Sequence, residues 1–246
     1  ALFGLGKPTG IGLASEKGGL LPTTDWKKRV YKEPWYLGET LSVSIGQGFV
    51  LTTPLQLAAM INTVAADGVW RPPQLLKKAE NRKTGTVEEV SRSEGRRLPI
   101  SAETFRRIRD ALVAVVSDSH GTAAASRSEV VSIGGKTGTA QVVARPEDEE
   151  ELPEHLNDHA WFAAYAPVEN PEIAVVVLVE NGGHGGATAA PLARDVIEAY
   201  LGKPATPLTT ARDDLAPAQK ERHREIINEQ LVDGVQAAEE LNHDRS

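Results

Sequence analysis

Lys136, Thr137 and Thr139 stand in the run Ser132-Ile133-Gly134-Gly135-Lys136-Thr137-Gly138-Thr139-Ala140-Gln141-Val142-Val143. An ammonium and a hydroxyl side by side on extended backbone hold a carboxylate by charge and hydrogen bond together. Gly138 has no Cβ, so a second backbone can lie close against the strand there. An extended peptide that pairs by strand addition would use that edge. The N–H of Thr139 would then point at an oxyanion developing on the peptide.

The element that must position these groups is a strand. Val130-Val131 lead into the Gly-rich centre and Val142-Val143 lead out of it, so the pattern reads as one strand with a bare patch in the middle. Ala160 to Ala166 and the apolar run Ile173 to Val179 are two more strands, split by the turn Val168-Glu169-Asn170-Pro171. Three strands in succession with short connections predict an antiparallel meander.

Helices must cover that sheet. Thr53 caps, Pro54 fits the first helical position and Gln56 completes a capping box, so a helix runs from there to a stop at Gly68. It is apolar nearly all round and is expected to be buried, with Met60 as core filler. Ser101 opens a second helix, with Phe105, Ile108, Leu112, Val115 and Val116 on one face, Arg106, Arg107, Arg109 and Asp110 toward water, and Gly121 as its stop. A third starts at Ala189-Ala190-Pro191, places Leu192, Val196, Ile197 and Tyr200 on its apolar side, and ends at Gly202. Residues 71–100 read as a hairpin or solvated loop, and residues 1–36 as an irregular segment anchored by Trp26 and Trp35. The fold class is α+β: a mainly antiparallel sheet flanked by helices.

Other constellations carry less. Apolar residues alternate with Ser from Thr40, and Gly46-Gln47-Gly48 follows, but a phosphate-cradling loop needs a third Gly that this chain lacks. His155 and His159 are spaced i, i+4 beside Asp158. Pro153 and the strand pattern beyond argue against the helix a zinc pair needs, and they read as unrelated histidines. Glu147 to Glu154 is a like-charge block of the kind that is solvated rather than a spaced cation cage. His184 in its Gly-rich loop is a proton shuttle only if it has a fixed partner, and reads as a loop residue. No metal and no cofactor are called for.

Bulk numbers agree with this and exclude other classes. Among 246 residues, 27 are basic and 34 acidic, a net charge of −7 that offers no footprint for nucleic acid. Aromatics are 5%, too few for base-stacking platforms. There is no Cys, hence no thiolate nucleophile and no disulfide, which suits an extracytoplasmic bacterial domain and is equally allowed in cytosol. The longest apolar run, Ile173 to Val179, is far too short to span a bilayer. After Pro204 the composition turns linker-like and then charged, so the organisation is a domain over 1–202 and a tail over 203–246.

Several segments together resemble class B penicillin-binding proteins, most of all those of the elongation type. They are Pro34-Trp35-Tyr36-Leu37-Gly38-Glu39-Thr40, Ser44-Ile45-Gly46-Gln47-Gly48, Thr53-Pro54-Leu55-Gln56-Leu57-Ala58, Gly134 to Gln141, His159-Ala160-Trp161-Phe162 and Val179-Glu180-Asn181-Gly182-Gly183. Lys136-Thr137-Gly138 matches the third box of that family, whose other boxes are Ser-x-x-Lys and Ser-x-Asn. The resemblance covers roughly residues 1–202.

The resemblance implies part of a transpeptidase fold and a DD-transpeptidase that cross-links peptidoglycan stem peptides through an acyl-serine, the same serine that β-lactams acylate. Lys136 and Thr137 would hold the terminal carboxylate, Gly138 would allow the close approach, and the Thr139 N–H would supply half of an oxyanion hole. Implied partners are stem peptides, β-lactams, the rest of the transpeptidase chain and other cell-wall elongation proteins. The implied location is the periplasmic face of the bacterial inner membrane, with the anchor outside this chain. One departure limits the reading. No Ser-x-x-Lys and no Ser-x-Asn occurs, Thr24-Asp25-Trp26-Lys27 being the nearest match, and in the family both boxes precede the third. The nucleophile is therefore expected upstream of Ala1, and the isolated chain is expected to be catalytically dead. The alternative is a non-catalytic binding module derived from the same fold.

Overall fold

The computed structural model describes residues 2–143 and 153–202. The acidic block at 147–152 and the tail from 203 onward lie outside the described residues, so the readings of both rest on sequence alone.

The meander is present. Strands β5 (Gly134–Ala140), β6 (His159–Ala166) and β7 (Ile173–Val179) form one antiparallel sheet in the order β5-β6-β7. Its register sets Lys136 opposite Ala163, Gly138 opposite Trp161 and Ala160 opposite Val179. β5 is shorter than the β-branched flanks predict. Val130-Val131 and Val142-Val143 lie outside it, because hydrogen-bonded pairing with β6 spans only Gly134 to Ala140. The bare centre is itself the strand. A Cβ on Gly135 would stand 2.5 Å from the Phe162 ring and one on Gly134 would stand 2.8 Å from the Tyr165 ring, so β6 fills the space the glycines leave.

Each sheet face has a helical cover. Ala160, Phe162, Ala164 and Ala166 of β6 pack with Ala189, Ala190, Ala193 and Ile197 of α5 (Gly185–Tyr200). Small side chains on both partners let helix and sheet approach closely. On the opposite face Tyr165, Ala163, Ala174 and Val176 pack against Ile61 and Ala65 of α3 (Pro54–Ala65) and Leu112 of α4 (Ala102–Ser117). A third cluster joins α3 and α4 through Val64, Leu98 and Phe105. The caps are those the sequence specifies: Thr53 with Gln56 in a capping box and Pro54 inside the first turn, and the Ser101 side chain accepting from the Thr104 N–H.

Five features depart from the sequence pattern. Leu37–Ser44 is a helix, α2, although its apolar residues alternate with Ser; Glu39 accepts from the Tyr36 N–H and starts the turn. α5 begins at Gly185, four residues ahead of Ala189, with Pro191 inside it; the glycines are helical because α5 must lie against β5 and β6 there. Its buried face is alanine and Ile197, whereas Leu192, Val196 and Tyr200 are exposed. Arg109 does not face water: its guanidinium donates to Asp67 (2.7 Å) and to the Val168 carbonyl (2.6 Å). α4 also ends at Ser117, ahead of the expected stop at Gly121.

The remaining elements are smaller. α1 (Thr24–Tyr31) brings Trp26 against Tyr31 and Phe49, giving the first 36 residues more order than their composition implies. Of the two forms expected for the excursion after Pro73 the structure has the hairpin, β2 (Lys78–Glu80) with β3 (Val87–Glu89), and β1 (Val69–Trp70) pairs with β4 (Arg96–Arg97). Among the described residues no helix is long and apolar enough to cross a membrane.

Candidate functional site

β5 is an edge strand of its sheet, paired with β6 alone among the described residues. The open edge is where the candidate residues collect. Lys136 is exposed while Gly134 and Gly135 before it are buried. Its Nζ donates to the Thr137 carbonyl (2.7 Å) and lies 3.3 Å from Thr137 Oγ1, so ammonium and hydroxyl share one spot on the strand edge. Thr137 Oγ1 is in turn 2.8 Å from Thr122 Oγ1. Two hydroxyls and a cation thus line up as donors, an arrangement able to take up a carboxylate.

Thr139 faces the same way. Its carbonyl accepts from the side-chain amide of Gln47 at 3.1 Å. In an antiparallel pair a residue either exchanges both its N–H and its C=O with the partner strand or turns both away from it. A carbonyl engaged by Gln47 places Thr139 in the second class, with its N–H on the open edge. Thr137, two residues earlier, has the same orientation, in keeping with its carbonyl meeting Lys136 Nζ.

Gly138 is bare for a reason inside the fold as well as any outside it. A Cβ there would stand 3.1 Å from Trp161 Cβ. The N-terminus of α5 packs on the same point, a Cβ on Gly185 falling 2.5 Å from the Gly138 carbonyl oxygen and one on Gly186 falling 2.0 Å from the Thr122 carbonyl oxygen.

The structure therefore brings Lys136, Thr137, Gly138 and Thr139 together on one edge, and adds Gln47 and Thr122, which sequence reading missed. Gln47 was legible only as the centre of Gly46-Gln47-Gly48, and its partner lies 92 residues away. Thr122 is a loop residue with no local signal of its own.

The nearest match to a Ser-x-x-Lys box is no catalytic pair. Thr24 and Lys27 lie on α1, where Lys27 is only 3% exposed, bonded to Glu39, 3.7 Å from Glu33 and over the Tyr36 ring. His159 is likewise committed, its Nδ1 accepting from the Asn181 N–H at 2.9 Å. His184 is exposed just ahead of α5, its carbonyl accepting from Ala187 and Thr188. Among the described residues no cluster of His, Cys, Asp and Glu could hold a metal ion.

Comparison with known proteins gives one consistent result. The family model for the penicillin binding protein transpeptidase domain matches residues 1–198. The peptidoglycan D,D-transpeptidase MrdA of Haemophilus influenzae is 38% identical over 204 residues, covering 81% of this chain and 31% of that protein. Its namesake in Acinetobacter baumannii is 38% identical over 221 residues, covering 88% and 31%. The crystal structure of Pseudomonas aeruginosa PBP2 in complex with WCK 5153 superposes with a TM-score of 0.67 at 33% identity, over 85% of this chain and 43% of that one. PBP2 in its complex with MreC from Helicobacter pylori gives 0.65 at 30% identity, over 82% and 35%. The chain spans about a third of the length of the curated relatives it matches.

Proposed function

The chain belongs to the penicillin-binding protein transpeptidase family, and on that footing we propose that it is the carboxylate-binding part of a peptidoglycan D,D-transpeptidase of the elongation type. The observation that carries this is Lys136, exposed on an edge strand with the Thr137 hydroxyl beside its ammonium.

A stem peptide ending in D-alanyl-D-alanine pairs with the β5 edge. Its terminal carboxylate exchanges places with the Thr137 carbonyl at Lys136 Nζ and accepts from Thr137 Oγ1, with Thr122 holding that hydroxyl in line. A serine from the part of the domain outside this chain attacks the carbonyl carbon of the penultimate D-alanine. The Thr139 N–H stabilises the resulting oxyanion, a contribution of roughly 3–4 kcal/mol for one donor of this kind. The C–N bond then breaks, the terminal D-alanine leaves as the amine with the serine proton, and the acyl-serine remains. An amine of a second strand attacks the ester, forms the new amide and returns the proton to serine. A β-lactam enters by the same geometry, its carboxylate on Lys136 and its ring carbonyl on Thr139. Such an enzyme works at the periplasmic face of the inner membrane, and the Helicobacter pylori complex supports a cell-wall elongation protein as its partner. The chain alone forms no acyl-enzyme, since no Ser-x-x-Lys box occurs in it.

The test uses a diacetylated L-lysyl-D-alanyl-D-alanine peptide titrated into the 15N-labelled chain. Resonances of Lys136, Thr137 and Thr139 should shift together, and Lys136→Ala should weaken binding about tenfold or more, the usual worth of one charged hydrogen bond. A fluorescent penicillin should leave no covalent label on the isolated chain. Peptide shifts confined to other surfaces, or binding indifferent to Lys136→Ala, would overturn the assignment.

A further inference from the structure

Both carbonyls that β5 turns outward in its peptide-binding stretch are already occupied by the protein's own side chains. Lys136 Nζ holds that of Thr137 and Gln47 Nε2 holds that of Thr139. The first contact is a flexible cation folded on its neighbour. The second comes from a different part of the chain, 92 residues earlier, and has been built for. Gln47 lies three residues beyond the end of α2, on a turn closed by hydrogen bonds from the Gly46 N–H to the Val43 carbonyl and from the Gln47 N–H to the Ser42 carbonyl. Gly46 and Gly48 flank it with φ of 78° and 68°, a backbone region that side-chain-bearing residues rarely take. Two such residues in three point the Gln47 side chain at Thr139 while α2 stays in place.

We propose that Gln47 is a removable cap on the Thr139 carbonyl of the docking edge, one that an added peptide strand must displace. Strand addition needs the N–H groups of the incoming backbone to meet outward carbonyls in the plane of the sheet. The Gln47 amide lies on that approach. A peptide whose own N–H replaces Gln47 Nε2 loses nothing in hydrogen bonds. A ligand without an N–H at that position must either leave the cap in place or leave an acceptor unsatisfied. The cap thus keeps the Thr139 carbonyl satisfied until a peptide N–H arrives, and a carboxylate that satisfies Lys136 alone leaves it in place. This rests on the reading of β5 as the carboxylate-binding edge.

The experiment measures binding of the same diacetylated tripeptide, and of acetyl-D-alanine as the short competitor, to the full chain and to Gln47→Met, Gln47→Asn and Lys136→Ala. Met keeps the volume and removes the donor; Asn keeps the donor on a shorter arm. Thermal melts check that each variant is folded. In the unliganded protein the Gln47 side-chain amide should show a through-hydrogen-bond coupling to the Thr139 carbonyl carbon, lost on saturation with tripeptide. Gln47→Met should bind tripeptide about five-fold tighter, the worth of one neutral hydrogen bond no longer competing. Acetyl-D-alanine has no N–H beyond the carbonyl that meets Thr139, leaves the cap in place, and should bind wild type and Gln47→Met equally. A Gln47 side chain that merely supported the loop would give weaker binding on substitution, with the coupling retained at saturation. Either of those results, with wild-type binding still dependent on Lys136, overturns the cap and leaves the site reading standing. Failure of tripeptide to bind both wild type and Gln47→Met removes the site reading and the cap with it.

Discussion

Gly185, the first residue of α5, lies so close to Gly138 that a Cβ on it would stand 2.5 Å from the Gly138 carbonyl oxygen, and 2.2 Å from that of Trp161. No side-chain movement relieves such a clash, because both obstacles are backbone. The helix that covers the sheet and the strand that carries Lys136 are thereby locked to one another at the candidate site.

Gly185→Ala should therefore act on both stability and binding. Forcing a methyl group between packed backbones typically costs about 1–3 kcal/mol. The midpoint of urea unfolding should fall accordingly, and the tripeptide affinity should fall with it, because β5 must shift. Gly183→Ala, two residues earlier with no atom near its Cβ position but φ of 74°, is the control: it should cost stability through backbone strain and leave tripeptide affinity unchanged. A Gly185→Ala protein within 0.5 kcal/mol of wild type, the range of an ordinary surface change, would show that the contact is not closed.

Gln56 should prove worth more than a cap. Its Oε1 accepts from the Thr53 N–H, which is the capping-box half. Its Nε2 donates to the carbonyls of Lys7 (2.8 Å) and Gly18 (2.7 Å), and the residue is 1% exposed. Gln56→Leu leaves those carbonyls without a donor and should cost about 2–4 kcal/mol in chemical denaturation. Gln56→Glu keeps the cap acceptor and loses the donors. If the donors dominate, it should be no better than Leu; recovery of most of the loss by Glu would assign the stability to the cap instead.

Local chemistry made much of this legible in the sequence. Thr53, Pro54 and Gln56 act within one helical turn, and Ser101 within another, so a linear reading finds them. The meander was legible because Ala160 to Val179 alternates runs and turns at strand length. Residues 136–139 lie on a strand, as the pattern around them predicts. What the pattern left open depends on contacts beyond it. The Ser-alternating run at 41–45 is helical because Glu39 bonds the Tyr36 N–H and meets Lys27, a contact no periodicity encodes. The glycines at 185 and 186 read as loop, yet they are helical because nothing larger than glycine fits against Gly138 and Thr122. The same limit hid Gln47, whose meaning depends on Thr139.

The Lys27–Glu39 contact gives stability a pH dependence of known sign. Its hydrogen bond to Lys27 holds the Glu39 carboxyl below its ordinary 4.5, helped by the Tyr36 N–H. A depressed folded value means that the contribution is complete above the unfolded value and disappears as pH falls through the folded one. Glu39→Gln should therefore lower the melting temperature at neutral pH, and the gap to wild type should narrow as pH drops below 4.5. Melts across a pH series decide it. A gap that stays constant into acid would mean the carboxylate charge is irrelevant there.

Tyr165 sets the opposite limit. It is fully buried between α3 and the sheet, and burial pushes its phenol above the ordinary 10.0, while the Arg109 guanidinium pulls the other way. A raised folded value means the fold holds the proton more tightly than the unfolded chain does. Stability is then complete below 10.0 and is lost as pH rises through the folded value. Lysine deprotonation contributes to any alkaline transition, so the informative quantity is the difference between wild type and Tyr165→Phe. That difference should be small and flat at neutral pH and should turn in favour of Phe above 10.0. Arg109→Ala should move the folded phenol higher still, by removing the nearby cation that favours phenolate, and so steepen the alkaline loss. It should also cost stability at neutral pH, because the Val168 carbonyl and Asp67 lose their donor. Denaturant midpoints for the three proteins across the alkaline range, with the 295 nm absorbance of phenolate followed in parallel, separate these effects. Parallel wild-type and Phe curves throughout would show that Tyr165 ionises without opening the fold.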